Sequence, residues 1–237
     1  YRIGKFLAPL FFITGNDSII IVNSELEKKI YENAFLTINN IFILGYPRND
    51  QLFVKEPQHT KNIKPKVLYA PTFRNNSKWK QLVSDNEFWK MLDNCASNNN
   101  IILDVKIHNS DLSSINTSSL NLKSINFLSR SELTSDINSI LPQHDDLISD
   151  YSGVIFDFLI LKRPIILFDP DLKEYLEERG IYASSLRLHN FNSANNVEQL
   201  CKLIEISIKN PEKLADLSTK YLEEYHHFKD GKNSERI

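Results

Sequence analysis

Three places in this 237-residue sequence put a polar or charged side chain directly after a short apolar run. One is Ser149-Asp150-Tyr151-Ser152-Gly153, one is Arg74 at the end of Leu68-Tyr69-Ala70-Pro71-Thr72-Phe73-Arg74, and one is His108 after Ile101 to Ile107. The Ser-Gly step suits a helix start. Ser152 can cap such a helix with its side-chain oxygen, the amides from Gly153 onward face outward, and the positive end of the helix dipole stands behind them. Gly153 also lets a ligand approach the backbone closely. A guanidinium and an imidazole at the same sheet edge complete a set of donors and charges suited to a phosphate. Each residue alone has a plainer role, as a cap, a surface arginine or a structural histidine; only their convergence points to a phosphate.

The elements that must position these residues are legible in the pattern. Leu147 to Asp171 divides into an apolar run ending at Asp150, the Ser-Gly step, an apolar stretch from Val154 to Leu161, the break Lys162-Arg163-Pro164, and a second apolar run from Ile165 to Phe168. This is strand, short crossover helix, strand, the length of one βαβ unit. The same rhythm appears earlier: a strand at Ile19 to Val22, a helix from Glu25 to Ala34 capped by Asn23-Ser24, and a strand at Ile41 to Leu44. Further strands are expected at 66–69, 101–107 and 125–128. Helices are expected at 88–96, 135–141, 172–179 before Gly180, 197–208 and 211–225. Asp111 to Lys123 reads as a loop, and Asp169-Pro170-Asp171 as a turn. Tyr1 to Thr14 reads as an apolar helix packing on a neighbour or touching a membrane interface, with core packing preferred.

Composition narrows the class. A chain with 41% hydrophobic and 24% charged residues can bury a core. A net charge of −2 argues against nucleic acid as a partner. Residues 1–75 hold 10 Lys or Arg against 6 Asp or Glu, and residues 76–237 hold 18 against 24, so only the first part leans basic. Cys95 and Cys201 lack the density and spacing of a disulfide framework or zinc site, and a reducing compartment fits them. No run approaches the roughly 18 apolar residues of a membrane span. The start at Tyr1 has the look of a cut through a longer chain. Adjacent His226 and His227 do not share a helix face, and the Asp-x-Asp at Asp169-Pro170-Asp171 reads as a turn after a strand, so no metal site is assigned and a divalent cation is left open.

The motifs taken together resemble the CDP-glycerol glycerophosphotransferase family of teichoic-acid primases and polymerases and their relatives in capsule synthesis. The resemblance is carried, in order, by Gly45-Tyr46-Pro47-Arg48-Asn49-Asp50, Leu68 to Arg74, Lys106-Ile107-His108, Ser149 to Ser152 and Phe156-Asp157-Phe158. It continues through Lys162-Arg163-Pro164, Asp171-Leu172 with Tyr175, Arg179 to Tyr182, Asp230-Gly231-Lys232 and Ser234-Glu235-Arg236. It implies an α/β fold of two Rossmann-like lobes in the B-type glycosyltransferase architecture, with the first lobe incomplete. Residues 1–54 would end that first, acceptor-side lobe, 55–65 would link, 66–210 would hold the nucleotide donor, and 211–237 would form a C-terminal helix and tail. It implies transfer of a polyol phosphate from CDP-glycerol or CDP-ribitol to a polymeric or lipid-linked acceptor, with CMP leaving, at the inner face of the cytoplasmic membrane. Arg74, Asp150, Ser152, Gly153 and Arg236 would bind the donor, and His108 would act as the catalytic group on the departing phosphate. A sugar transferase using nucleotide-sugar donors and a non-catalytic nucleotide-binding module are the alternatives. The family's His-Gly-Thr-Pro-like segment, whose histidine resembles an acceptor-activating base, does not occur. Asn109 and Gly153 stand where family members commonly have Pro and Ser, which leaves the polyol open.

Overall fold

The computed structural model describes residues 2–3, 19–34, 40–53, 64–74, 77–113, 115, 117–128, 136–182, 188 and 192–237. Its strands are β1 (Arg2–Ile3), β2 (Ile20–Val22), β3 (Ile41–Ile43), β4 (Lys66–Tyr69), β5 (Ile102–Val105), β6 (Ile125–Phe127), β7 (Asp146–Ser149), β8 (Ile165–Phe168), β9 (Ile181–Tyr182) and β10 (Ser193–Ala194). Its α-helices are α1 (Glu25–Ala34), α2 (Ser77–Ser84), α3 (Asn86–Asn98), α4 (Asn109–Leu112), α5 (Thr117–Leu120), α6 (Ile137–Ile140), α7 (Val154–Phe158), α8 (Leu172–Glu178), α9 (Val197–Lys209) and α10 (Pro211–Tyr225).

Six strands form one parallel sheet in the order β10-β8-β7-β4-β5-β6. Parallel strands buried on both faces read as continuous apolar runs, and β7 and β8 are buried at every position. Alternation along β4 sends Val67 and Tyr69 into the core under α3 and α9, and Leu68 into the core under α7 and α10. Tyr69 pairs in register with Val105 on one side and Ile148 on the other. The chain therefore leaves all three central strands at one edge, which places Ala70, Lys106 and Ser149 side by side, with Asp150 next along. At the sheet's far side, the buried Asp93 of α3 accepts the amides of Lys123, Ser124 and Ile125 and so fixes where β6 begins.

A separate two-stranded parallel sheet, β2 with β3, packs against α1. Ser24 Oγ accepts from Glu27 N–H, and Glu27 Oε2 accepts from Asn23 N–H at 2.7 Å, so the expected cap forms reciprocally. A 3₁₀ segment, Pro47–Phe53, carries the chain toward the larger sheet.

The structure departs from the sequence reading in several places. Arg2–Ile3 pairs antiparallel with Ile181–Tyr182 as a strand instead of starting a helix, because an edge partner late in the chain supplies its hydrogen bonds. The rest of the Tyr1 to Thr14 reading lies largely outside the described residues, as does most of the 55–65 linker. Helix α2 was not anticipated, since Trp79 and Val83 are its only fully buried positions among those described. The Asp111 to Lys123 stretch holds two single-turn helices, α4 and α5.

Candidate functional site

The turn after β7 stands open at the sheet's carboxyl edge. Gly153 is exposed, has φ −60°, and a Cβ built there meets nothing within 4 Å. Three clefts meet at it. One, of about 240 Å³, runs over Asp150 to Ser152 toward Tyr175 and Tyr182. A second, of about 410 Å³, is lined by Ala70, Pro71, Lys106, Asp136, Arg48 and Asp157. The third, of about 470 Å³, separates α1 from α7 and α10 and is lined by Glu27, Tyr31, Tyr46, Arg48 and Asp157 among others.

Ser152 does not open the helix as expected. The N-cap is Gly153, and Ser152 Oγ only receives the Val154 amide at a long 3.4 Å. The helix behind it is a five-residue α7 continued by the 3₁₀ turn Leu159–Leu161, so the dipole is that of little more than two turns.

Arg74 stands at the expected place in the chain but faces inward. Its side chain is 1% exposed, and it is ion-paired through Nη1 to Asp150 and through Nε to Asp171 at 2.6 Å, both carboxylates being fully buried. Its guanidinium carbon lies 3.8 Å from the centre of the Trp79 ring. Burial disfavours the charge, but the two carboxylates outweigh it and hold the guanidinium above its usual range. Asp150 also accepts the Thr72 amide through both oxygens, at 2.9 and 3.0 Å. Asp171, read from sequence as a turn residue, further receives the Tyr151 hydroxyl at 3.2 Å. This cluster sits behind the Ser152–Gly153 turn and positions it.

His108 follows β5 at the same edge, exposed, with its ring 4.3 Å from that of Phe73. Nδ1 accepts from Ser110 N–H at 3.3 Å and lies 2.7 Å from Ser110 Oγ, so these contacts engage Nδ1 and not Nε2. It is not among the residues lining the three clefts. Arg236 is held within the tail: it pairs with Asp230, donates to Asn233 Oδ1 at 3.1 Å and lies over the Phe228 ring at 3.8 Å. It too is absent from the cleft linings.

The structure joins the first and last motifs of the series. Asp50 accepts the amides of Asn233 and Ser234, both at 2.8 Å, and the Ser234 hydroxyl at 2.7 Å, while Asn233 Nδ2 donates to Tyr46 O at 3.2 Å. Asn233 packs against Gly45, whose φ of +78° only glycine adopts readily. Burial would raise the Asp50 pKa, but these hydrogen bonds prevail and hold it below the usual range.

The chain matches the family model described as CDP-glycerol:poly(glycerophosphate) glycerophosphotransferase over residues 13–237. It belongs to that family. It is 28% identical over 240 residues to the teichoic acid poly(ribitol-phosphate) polymerase of Bacillus spizizenii, covering 94% of this chain and 37% of that protein. It is 33% identical over 171 residues to the teichoic acid poly(glycerol phosphate) polymerase of the same species, covering 65% and 41%. Among solved structures it is similar to the wall teichoic acid polymerase TagF, with a TM-score of 0.71 and 23% identity over 92% of this chain and 55% of that one. The likeness to TagF bears out the expected α/β architecture of the B-type glycosyltransferase kind. The chain spans about two-fifths of the length of these curated relatives.

Sequence reasoning missed Arg48, Lys106 and Asp157 as cleft residues of this glycerophosphotransferase-family chain. All three sit inside motifs that carry the resemblance. The usable signal was their position in the 3₁₀ segment that follows β3, directly after β5 and one helical turn past Gly153. Among the described residues, no three His, Cys, Asp or Glu side chains converge to hold a metal ion, and no helix is long and apolar enough to cross a membrane.

Proposed function

We propose that this chain carries the donor-binding part of a transferase that moves glycerol phosphate, or the related ribitol phosphate, from a CDP-activated donor to a teichoic-acid or capsule polymer. The observation that carries this reading is the exposed Gly153 turn at the junction of three clefts, in a chain whose family is defined by that chemistry. An acceptor hydroxyl oxygen bonds to the phosphorus that bears the polyol, the bridging P–O bond breaks, and its electron pair leaves on CMP while the hydroxyl proton is released. Such displacement needs positioning and charge neutralisation more than covalent help. Ser152 and Gly153 present the turn to the diphosphate, and Asp150 and Arg74 hold that turn from behind. His108, through Nε2, protonates or hydrogen-bonds the departing phosphate once the donor brings it into reach. Arg236 acts from the tail clasp that joins 45–50 to 230–236. The donor lobe is residues 66–210, and a lipid-linked polymer acceptor would bring the chain to the inner membrane face.

Isothermal titration of this chain with CDP-glycerol, CDP-ribitol, CMP and UDP-glucose tests the reading. Selective binding of cytidine ligands is expected, and the tighter polyol donor names the substrate. Preference for UDP-glucose, or no nucleotide bound by a well-folded chain, overturns it.

A further inference from the structure

The donor brings a diphosphate, and the cation expected to meet it is already spent. Arg74 is enclosed between two carboxylates, so its cluster has no surplus positive charge to offer. Arg48 differs in each respect. Its side chain is 52% exposed, and its Nη2 lies 3.4 Å from each oxygen of Asp157, about half an ångström longer than a well-made charge-assisted bond. Asp157, whose side chain is 4% exposed, is held above the usual carboxylate range by burial, which Arg48 offsets only in part. The pair is therefore incompletely made.

The backbone that carries this guanidinium is, by contrast, firmly placed. The buried Asn138 donates to Arg48 O at 3.1 Å and to Asn49 Oδ1 at 3.0 Å, and Gln51 Nε2 donates to Arg48 O at 3.1 Å. Tyr46 lies beneath the guanidinium, 4.9 Å from the ring centre. Arg48 follows β3 of the smaller sheet, yet its side chain lines both large clefts that reach Gly153. An anchored stem with a loosely held, solvent-facing head can change partners at little cost to the fold.

We propose that Arg48 is the residue that binds the outer, polyol-bearing phosphate of the donor, exchanging Asp157 for that phosphate when the donor enters. This rests on the donor reading above and adds to it a cation supplied from the side of the smaller sheet. A guanidinium there matches two phosphate oxygens with parallel N–H bonds, which a lysine cannot do. In the two-lobe reading residues 1–54, and Arg48 with them, belong to the acceptor-side lobe, so its cation is assigned to the phosphate that is transferred.

The test is titration of wild type, Arg48→Ala and Arg48→Lys with CDP-glycerol and with CMP, alongside thermal melting. Arg48→Ala should weaken CDP-glycerol about tenfold or more and leave CMP, which lacks the outer phosphate, within about twofold. Arg48→Lys should recover part of the loss, and melting should fall only slightly, because the contact with Asp157 is long and the guanidinium is half in water. Equal affinity for CDP-glycerol in wild type and Arg48→Ala overturns the proposal, as does an equal loss for both ligands. A wild type that binds neither ligand removes the donor reading itself, and Arg48's part falls with it.

Discussion

Arg74 Nε donates to Asp171 Oδ2 at 2.6 Å across 97 residues of sequence, tying the end of β4 to the turn that follows β8. With Asp150 on its other side, this guanidinium holds two of the sheet's central crossovers together at the edge where the clefts open. Removing it leaves two buried carboxylates facing each other without a cation. Arg74→Ala should cost about 3–5 kcal/mol, the usual result of breaking a buried ion pair from one side. For a chain of this size that is a fall in melting temperature of roughly 10 °C. Asp171→Asn, which keeps an acceptor for Arg74, should cost less. A melting temperature for Arg74→Ala within a degree of wild type would show that the cluster does not support the fold.

Two glycines should separate fold from ligand approach. Gly45 has φ +78°, and a Cβ there would sit 2.2 Å from Asn233 Oδ1, so Gly45→Ala must strain the backbone and push the tail clasp apart. A loss of about 2 kcal/mol or more is expected in urea unfolding. Gly153→Ala meets open space at ordinary φ and should leave stability within about 0.5 kcal/mol while weakening donor binding. If Gly153→Ala binds CDP-glycerol as well as wild type, close backbone approach at this turn is wrong.

Asp146 gives a pH dependence of definite sign. Burial pushes its carboxyl up to about 6 from 3.8, with the Ser207 hydroxyl, 2.6 Å from Oδ2, opposing the shift. The native state thus holds this proton more tightly than the unfolded chain does. The resulting penalty is absent below about pH 4, grows as pH rises, and is complete above about pH 6, where it is on the order of 3 kcal/mol. Asp146→Asn removes the titration. Relative to wild type, the variant should gain about 2–3 kcal/mol of unfolding free energy between pH 4 and pH 7.5. A difference that stays flat with pH would mean the carboxyl titrates normally.

Cys95 and Cys201, 106 residues apart, meet where α3 packs on α9, with Cys95 Sγ 3.8 Å from Cys201 O. A separate side-chain hydrogen bond between the two thiols, aided by burial, pushes the Cys95 thiol up, and the same thiol–thiol bond brings Cys201 down. Since the thiolate is the reacting form, iodoacetamide should modify Cys201 roughly tenfold faster than Cys95, as read by peptide mass spectrometry. Equal rates would contradict this ordering.

Much of the scaffold is legible in the sequence because its causes are local. Strands β4 and β8 and helices α1 and α10 fall where apolar runs, the Ser24 cap and Pro211 place them. Gly180, with φ +68°, ends α8 as expected. Strands β9 and β10 escaped notice because two-residue strands have no periodicity and exist only through their partners. Helix α2 escaped because its buried face is the side of Trp79 turned to Arg74, a contact with no local trace.

By itself, the sequence determined the α/β rhythm, the ordered motifs of the glycerophosphotransferase family and the placement of Arg74, His108 and Ser152 after strands. Tertiary structure alone decided which of them faces a ligand. Arg48 and Arg74 each follow a strand and look alike in sequence, yet Asp150, Asp171 and Trp79 close over one, while the other keeps half its surface in water beside Gly153. Burial of a charge is set by what distant segments bring to it, and carboxylates from 76 and 97 residues away fix that outcome for Arg74.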